Sequence, residues 1–159
     1  MMRVLASLTA LGLVCGSLLA ATAALTKPAI EENRRAQALA LLRTLVGPLP
    51  DDTALDGAVG SCDRWRAYRV DVPGYAGPIH LLAVWRPEGS LAMRVTGHRE
   101  TPGIGDFIEH TRSNWLPALD GSNRESYTAL DAVSGATVTS KAIAKAAATA
   151  FDAAERDCG

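Results

Sequence analysis

From Val4 to Leu25 no charge interrupts the chain, and only after that run do apolar and polar positions settle into periodic patterns. A stretch of that length crosses the roughly 30 Å hydrocarbon core of a bilayer as a helix. A cleaved signal peptide is the rival reading, because Ala21-Thr22-Ala23 offers small residues at a cleavage position. The run exceeds the usual apolar core of such a peptide, so residues 1–25 read as an uncleaved transmembrane anchor. Thr26 then stands as an N-cap with Pro28 in the first turn of a helix. Ile30, Leu39, Leu42, Leu45 and Val46 give that helix a partial apolar face, and Gly47-Pro48 closes it. This juxtamembrane helix continues from the anchor. Asp51 to Cys62, rich in Asp and Gly, reads as a loop, and residues 26–60 form one connecting region.

Period two takes over next. Tyr68, Val70 and Val72 share one face of a strand over Trp65–Val72, Pro73-Gly74 makes a turn, and Ile79–Trp85 is apolar enough for a central strand. Pro87-Glu88-Gly89-Ser90 is a hairpin loop, and Leu91, Met93 and Val95 mark a strand with one buried face. A short helix is expected over Asp106–Arg112, and Trp115–Leu119 packs against the sheet. From about Thr139 to Asp157 the chain is alanine-rich and free of Pro and Gly. Ile143, Ala147 and Phe151 recur there at helical spacing with Ala144 and Ala148. Residues 61–159 therefore form an α+β domain, an antiparallel sheet with helices packed on it, behind an N-terminal transmembrane helix.

Charge narrows the partners. The chain carries 16 basic and 17 acidic residues, and every charged residue except Arg3 follows Leu25. No basic stripe is present, so nucleic acid is not expected as a partner. Lys27, Arg34 and Arg35 follow the anchor closely and argue that this side is cytoplasmic, but long domains cross largely regardless of such charges. Val14 stands where a lipoprotein box usually has Gly or Ala, so Cys15 reads as a plain membrane cysteine. Cys62 and Cys158 either pair in an oxidising compartment or remain two ordinary thiols. His80, His98 and His110 show no ligand spacing with the cysteines, and no metal site is expected. Nor is there a triad, a paired-carboxylate signal or a dinucleotide fingerprint, so no independent substrate turnover is expected.

Asp131-Ala132-Val133-Ser134-Gly135-Ala136-Thr137-Val138-Thr139-Ser140 places small and hydroxylated residues at the mouth of the last helix. A helix start presents unpaired N–H groups and the positive end of a dipole, which suits a phosphate. The plainer alternative is an N-cap by Ser134 or Thr137. Ser134-Gly135-Ala136-Thr137-Val138-Thr139-Ser140 resembles the flavinylation motif of the FMN-binding domain family. That family includes the G subunit of the Rnf electron transport complex and the C subunit of the sodium-translocating NADH:quinone reductase. His98-Arg99-Glu100-Thr101-Pro102-Gly103-Ile104-Gly105-Asp106 resembles its His-x-Glu-Thr-Pro-Gly-Leu-Gly-Asp loop, most closely that of the Rnf protein. Gly74-Tyr75-Ala76-Gly77-Pro78-Ile79 resembles the Gly-Tyr-x-Gly-x-Ile run before it. Phe107 departs from the pattern, since Lys usually follows Gly-Asp. The segment between Trp115 and Asp131 and the one before Trp65 are shorter than the family's.

The resemblance implies FMN joined by a phosphoester to Thr137, attached by a magnesium-dependent flavin transferase that takes it from FAD. It implies Ser134, Gly135, Ala136, Thr139 and Ser140 around the phosphate. Glu100, Thr101, Gly103, Ile104 and Gly105 form a second wall, with the N–H groups of Gly103 and Gly105 near the ring's polar edge and Ile104 on its face. Lys141, His98 and Tyr75 stand nearby, each with an ordinary surface or packing role as the alternative. The function implied is electron relay in an Rnf-type ion-translocating complex, beside other membrane subunits. The anchor would sit in the bacterial inner membrane and the domain on its periplasmic side. A free-standing periplasmic FMN module of a reductase or regulator, and a non-redox structural membrane subunit, are the alternatives.

Overall fold

The computed structural model describes residues 2–50 and 52–159. Two compact units divide at Ala36 and Gln37. Helix α1 covers Met2–Val46 without a break. Its first part is long and apolar enough to cross a membrane. Leu8, Leu13, Leu19 and Leu25 all lie exposed, as expected of an all-round apolar helix that needs a non-aqueous cover. Its hydroxyls are hidden on the helix's own backbone: Thr22 donates to Leu18 O at 2.8 Å and Ser17 to Leu13 O. Thr26 is not the N-cap that the sequence offered. Its hydroxyl turns back to Thr22 O at 2.8 Å, and Pro28 lies inside the helix rather than in a first turn. The Arg3 side chain and Asp51 lie outside the described residues, and with them the start of the expected Asp51–Cys62 loop.

The second unit is built on a four-stranded antiparallel sheet in the order β1 (Val59–Ser61), β2 (Trp65–Pro73), β3 (Pro78–Arg86) and β4 (Ser90–Gly97). Strand β1 lies in the stretch expected to be loop and pairs only Val59–Ser61 with Trp65–Ala67. On β2 the alternation puts Tyr68, Val70 and Val72 inside. Strand β3 is buried on both faces, which is why Leu81–Val84 runs apolar without alternation. On one face Val70, Leu81, Met93 and Val95 meet Ile143, Ala147 and Phe151 of helix α3 (Thr137–Cys158). On the other, Ala67, Leu82 and Val84 are covered by Ala38 and Leu42 from the end of α1, and by Leu55. Each large side chain buried this way stabilises the fold by about 1.5–3 kcal/mol. Ile143→Asp, a charge in the middle of the core, would undo it.

Helix α3 starts two residues before the expected position and buries a different alanine stripe. Ala142, Ala146, Ala150 and Ala154 face the sheet, while Ala144 and Ala148 are half-buried. Between β4 and α3 the expected Asp106–Arg112 helix shrinks to a 3-10 turn at Asp106–Ile108. Leu116 is fully buried and Trp115 packs at the core's margin. Phe107 meets Trp115 edge to face with centroids 4.8 Å apart, so its ring extends that margin. Helix α2 (Arg124–Thr128), absent from the sequence reading, is capped by Asn123, which accepts the Ser126 N–H at 3.0 Å. Cys62, just after β1, is bonded to Cys158 at the end of α3.

Candidate functional site

Three separated segments meet at the start of α3 and enclose a cavity of about 290 Å³. They are the β2–β3 turn with Tyr75, the loop Glu100–Gly105, and Gly135–Thr139. The turn is closed by Gly74 N–H to Gly77 O at 2.8 Å, which lifts Tyr75 to its tip. Gly135, at φ 80°, takes the left-handed conformation that turns the chain into α3.

Ala136 is the N-cap, and no side chain caps the helix. Neither Ser134 nor Thr137 plays the capping part that the sequence offered them. The N–H groups of the first turn have no intrahelical acceptor, and no acidic residue sits in that turn. The positive end of the helix dipole lies at the cavity, beside the Glu100 carboxylate that accepts the Thr139 hydroxyl. Thr137 is exposed, and its hydroxyl has no hydrogen-bond partner among the described residues. Lys141, one turn further along, is also exposed.

The two hydroxyls expected beside Thr137 have other partners. Thr139 is buried and donates to Glu100 Oε2. Ser140 is buried, donates to Ala136 O at 3.1 Å and accepts the Val133 N–H at 3.1 Å, which pins the incoming chain to the helix. Ser134 is exposed and does not line the cavity.

The second wall is self-bonded. Thr101 O accepts the N–H groups of Ile104 at 3.1 Å and Gly105 at 2.8 Å. Of the two glycine N–H groups expected at a ring edge, that of Gly105 is thus engaged inside the loop. Gly103 has φ 83° and open space around its missing side chain, so conformation explains it. Asp106 also pairs with Arg112 at 2.7 Å. That hydrogen bond, then the Gly103 N–H, holds its carboxyl below the usual range. His98 Nδ1 accepts the Glu100 N–H at 3.1 Å, so its Nε2 carries the proton and donates to Glu109 Oε1 at 2.8 Å. His98 is a brace of the loop rather than a lining residue.

Among the described residues beyond α1, three large apolar side chains are exposed: Tyr75 at 74%, Ile104 at 53% and Val138 at 50%. All three line this one cavity, each from a different segment. Three apolar walls beside a helix start with no side-chain cap suit a molecule with a planar ring at one end and a phosphate at the other. Val138 was not singled out in the sequence. Its only signal there is an apolar side chain at the second position of the helix, where a solvent-facing residue is usually polar.

Residues 74–152 match the model of the FMN-binding domain, and residues 6–45 that of the RnfG N-terminal region. The G subunit of an ion-translocating oxidoreductase complex from Stutzerimonas stutzeri is 37% identical over 98 residues, 54% of this chain and 43% of the relative. The corresponding protein of Pseudomonas aeruginosa (strain UCBPP-PA14) is 36% identical over 85 residues, 46% of this chain and 40% of the relative. The aligned chain thus spans less than half the length of these two relatives. The corresponding protein of Pasteurella multocida (strain Pm70) aligns more fully, at 29% identity over 86% of this chain and 84% of the relative.

Proposed function

Because the chain belongs to the FMN-binding domain family and carries an RnfG N-terminal region ahead of that domain, we propose that it is the flavin-carrying subunit of an Rnf-type ion-translocating electron transport complex. Its FMN is held covalently at Thr137. The observation that carries this reading is the convergence of Tyr75, Ile104 and Val138, all exposed, on the cavity that opens beside the uncapped start of α3.

In this reading the first turn of α3 cradles the phosphate and the three apolar side chains flank the ring. Bound FMN supplies the one-electron chemistry of a relay between neighbouring redox centres. Thr137 is the acceptor in maturation. As its Oγ bonds to phosphorus, the pyrophosphate bond of FAD breaks and AMP leaves with the bonding electron pair. The hydroxyl proton goes to a base on the flavin transferase, since the Thr137 hydroxyl makes no hydrogen bond among the described residues and an unactivated threonine is a weak nucleophile.

Residues 1–25 are the inner-membrane anchor, 26–60 the connecting region and 61–159 the FMN-binding domain. The domain lies on the periplasmic side. The Cys62–Cys158 bond supports that placement, because disulfides persist in oxidising compartments. The partners are the other membrane subunits of the complex and the transferase. The deciding experiment is the intact mass of the full chain produced with and without a flavin transferase. The expected gain is one FMN phosphoester per chain, confined to the peptide that holds Thr137. A chain that gains nothing while the transferase modifies a control protein would overturn the reading.

A further inference from the structure

Glu100 is 5% exposed and does more than line the cavity. Its Oε1 accepts the Ala76 N–H at 3.0 Å from the β2–β3 turn, and its Oε2 accepts the Thr139 hydroxyl from the first turn of α3. Its own N–H is held by His98. One carboxylate therefore joins all three segments that make the site. The glycines around it are explained by its bulk. A Cβ on Gly105 would run into Glu100 Cβ, and a Cβ on Gly74 would stand 2.5 Å from Glu100 Oε1 and 2.8 Å from Ile79 Cδ1. Two glycines from two motifs leave room for the same side chain.

We propose that Glu100 is a positioning residue for flavin attachment: it fixes the Tyr75 turn against the start of α3 and, by engaging the Thr139 hydroxyl, leaves Thr137 as the acceptor at that helix start. It acts through Thr139 and Ala76 and touches neither the phosphate nor the ring. This proposal rests on the FMN reading of the site. It differs from the role expected of Glu100 as a cofactor contact. A buried carboxylate that accepts two hydrogen bonds is well satisfied, and removing it strands both donors in a closed environment. Gln at the same place keeps one acceptor for Ala76 N–H, and its amide N–H can donate to Thr139 Oγ, so geometry survives without the charge.

The test uses the full chain with a flavin transferase and FAD, comparing wild type with Glu100→Ala, Glu100→Gln and Thr139→Val. Three quantities are read: the rate of flavin incorporation by intact mass, the modified hydroxyl by peptide mapping, and amide hydrogen exchange of the unmodified protein at Ala76 and in the first turn of α3. Misplacing a reacting group by about 1 Å costs roughly a hundredfold in rate. Glu100→Ala and Thr139→Val are expected to slow incorporation at least tenfold and to speed exchange at both places. Glu100→Gln is expected to stay within about threefold of wild type in both readouts. Thr139→Val keeps the volume of the buried site, so it carries the test if Glu100→Ala does not fold. Folded Glu100→Ala or Thr139→Val protein that incorporates flavin at Thr137 at the wild-type rate would overturn the positioning role alone. So would Glu100→Gln behaving like Glu100→Ala, since a direct charge contact would then be the cause. A wild-type chain that takes no flavin would overturn the FMN reading itself, and this proposal with it.

Discussion

Cys62 and Cys158 are joined with their Cα atoms 5.5 Å apart, which ties the turn after β1 to the last residue of α3. Helix α3 is thus fastened at both ends, by the disulfide at its C-terminus and by Thr139 on Glu100 at its N-terminus. The bond closes a loop with a sequence separation of 96 residues. For a loop of that size the chain-entropy model gives about 4–5 kcal/mol, an upper range that native strain and residual structure reduce. Reduction, or Cys62→Ser, is expected to lower the thermal midpoint by more than 10 °C. An unchanged midpoint in melts with and without a thiol reductant would show that the bond adds nothing to the fold.

Thr137→Ala is expected to abolish covalent flavin, and Thr137→Ser to retain most of it. Fluorescence of the denatured band under ultraviolet light reads both. Thr139→Ala is expected to slow attachment without becoming the lost site. A fluorescent Thr137→Ala band would move the attachment point elsewhere.

Tyr75, Ile104 and Val138 are exposed, so truncating each to Ala should change stability by no more than about 0.5 kcal/mol. The same truncations are expected to shift the visible spectrum and midpoint potential of the attached flavin, because the walls of a ring set its surroundings. Truncations that leave spectrum and potential as in wild type would place the ring outside the cavity.

Asp106 gives a pH dependence with a defined sign. Its folded-state pKa is lowered, first by the hydrogen bond from Arg112 and then by the Gly103 N–H. The stability it contributes is therefore present above the ordinary Asp value of about 3.9, and is lost as pH falls through the lower folded-state value. Asp106→Asn should melt below wild type at neutral pH, and the two curves should converge in the acid range below about pH 4. A gap that persists unchanged at the acid end would assign the effect to packing rather than charge.

Particular elements explain what could be read from the chain. Strands β2 and β4 were legible because Tyr68, Val70 and Val72, then Leu91, Met93 and Val95, recur at every second position, and β3 because Ile79–Trp85 is a mostly apolar run. Strand β1 was not, since Val-Gly-Ser holds one apolar residue and cannot display a period. Helix α2 has five residues, too few for a repeat of 3.6. In α3 the existence of the helix was plain but its buried face was not: alanine lies on every side, so hydrophobicity could not choose Ala146 over Ala144 or Ala148. At the site, small and hydroxylated residues pointed to the start of α3, while the Glu100–Gly105 wall came only from the resemblance. The orientation of Glu100 was not legible, because a carboxylate gives no sign in sequence of whether it faces a ligand or fastens its own loop.

Strand β1 has one further meaning. It gives β2 its outer neighbour along three residue pairs, and the next residue after it is the bonded Cys62. With the bond cut, so short a strand has little to keep it in place. The Trp65–Ala67 end of β2 would then lose its pairing and lengthen the edge of N–H and C=O groups on which a second molecule can add a strand. The covalent staple therefore also guards one end of the sheet's edge, by holding in place the short strand that covers it.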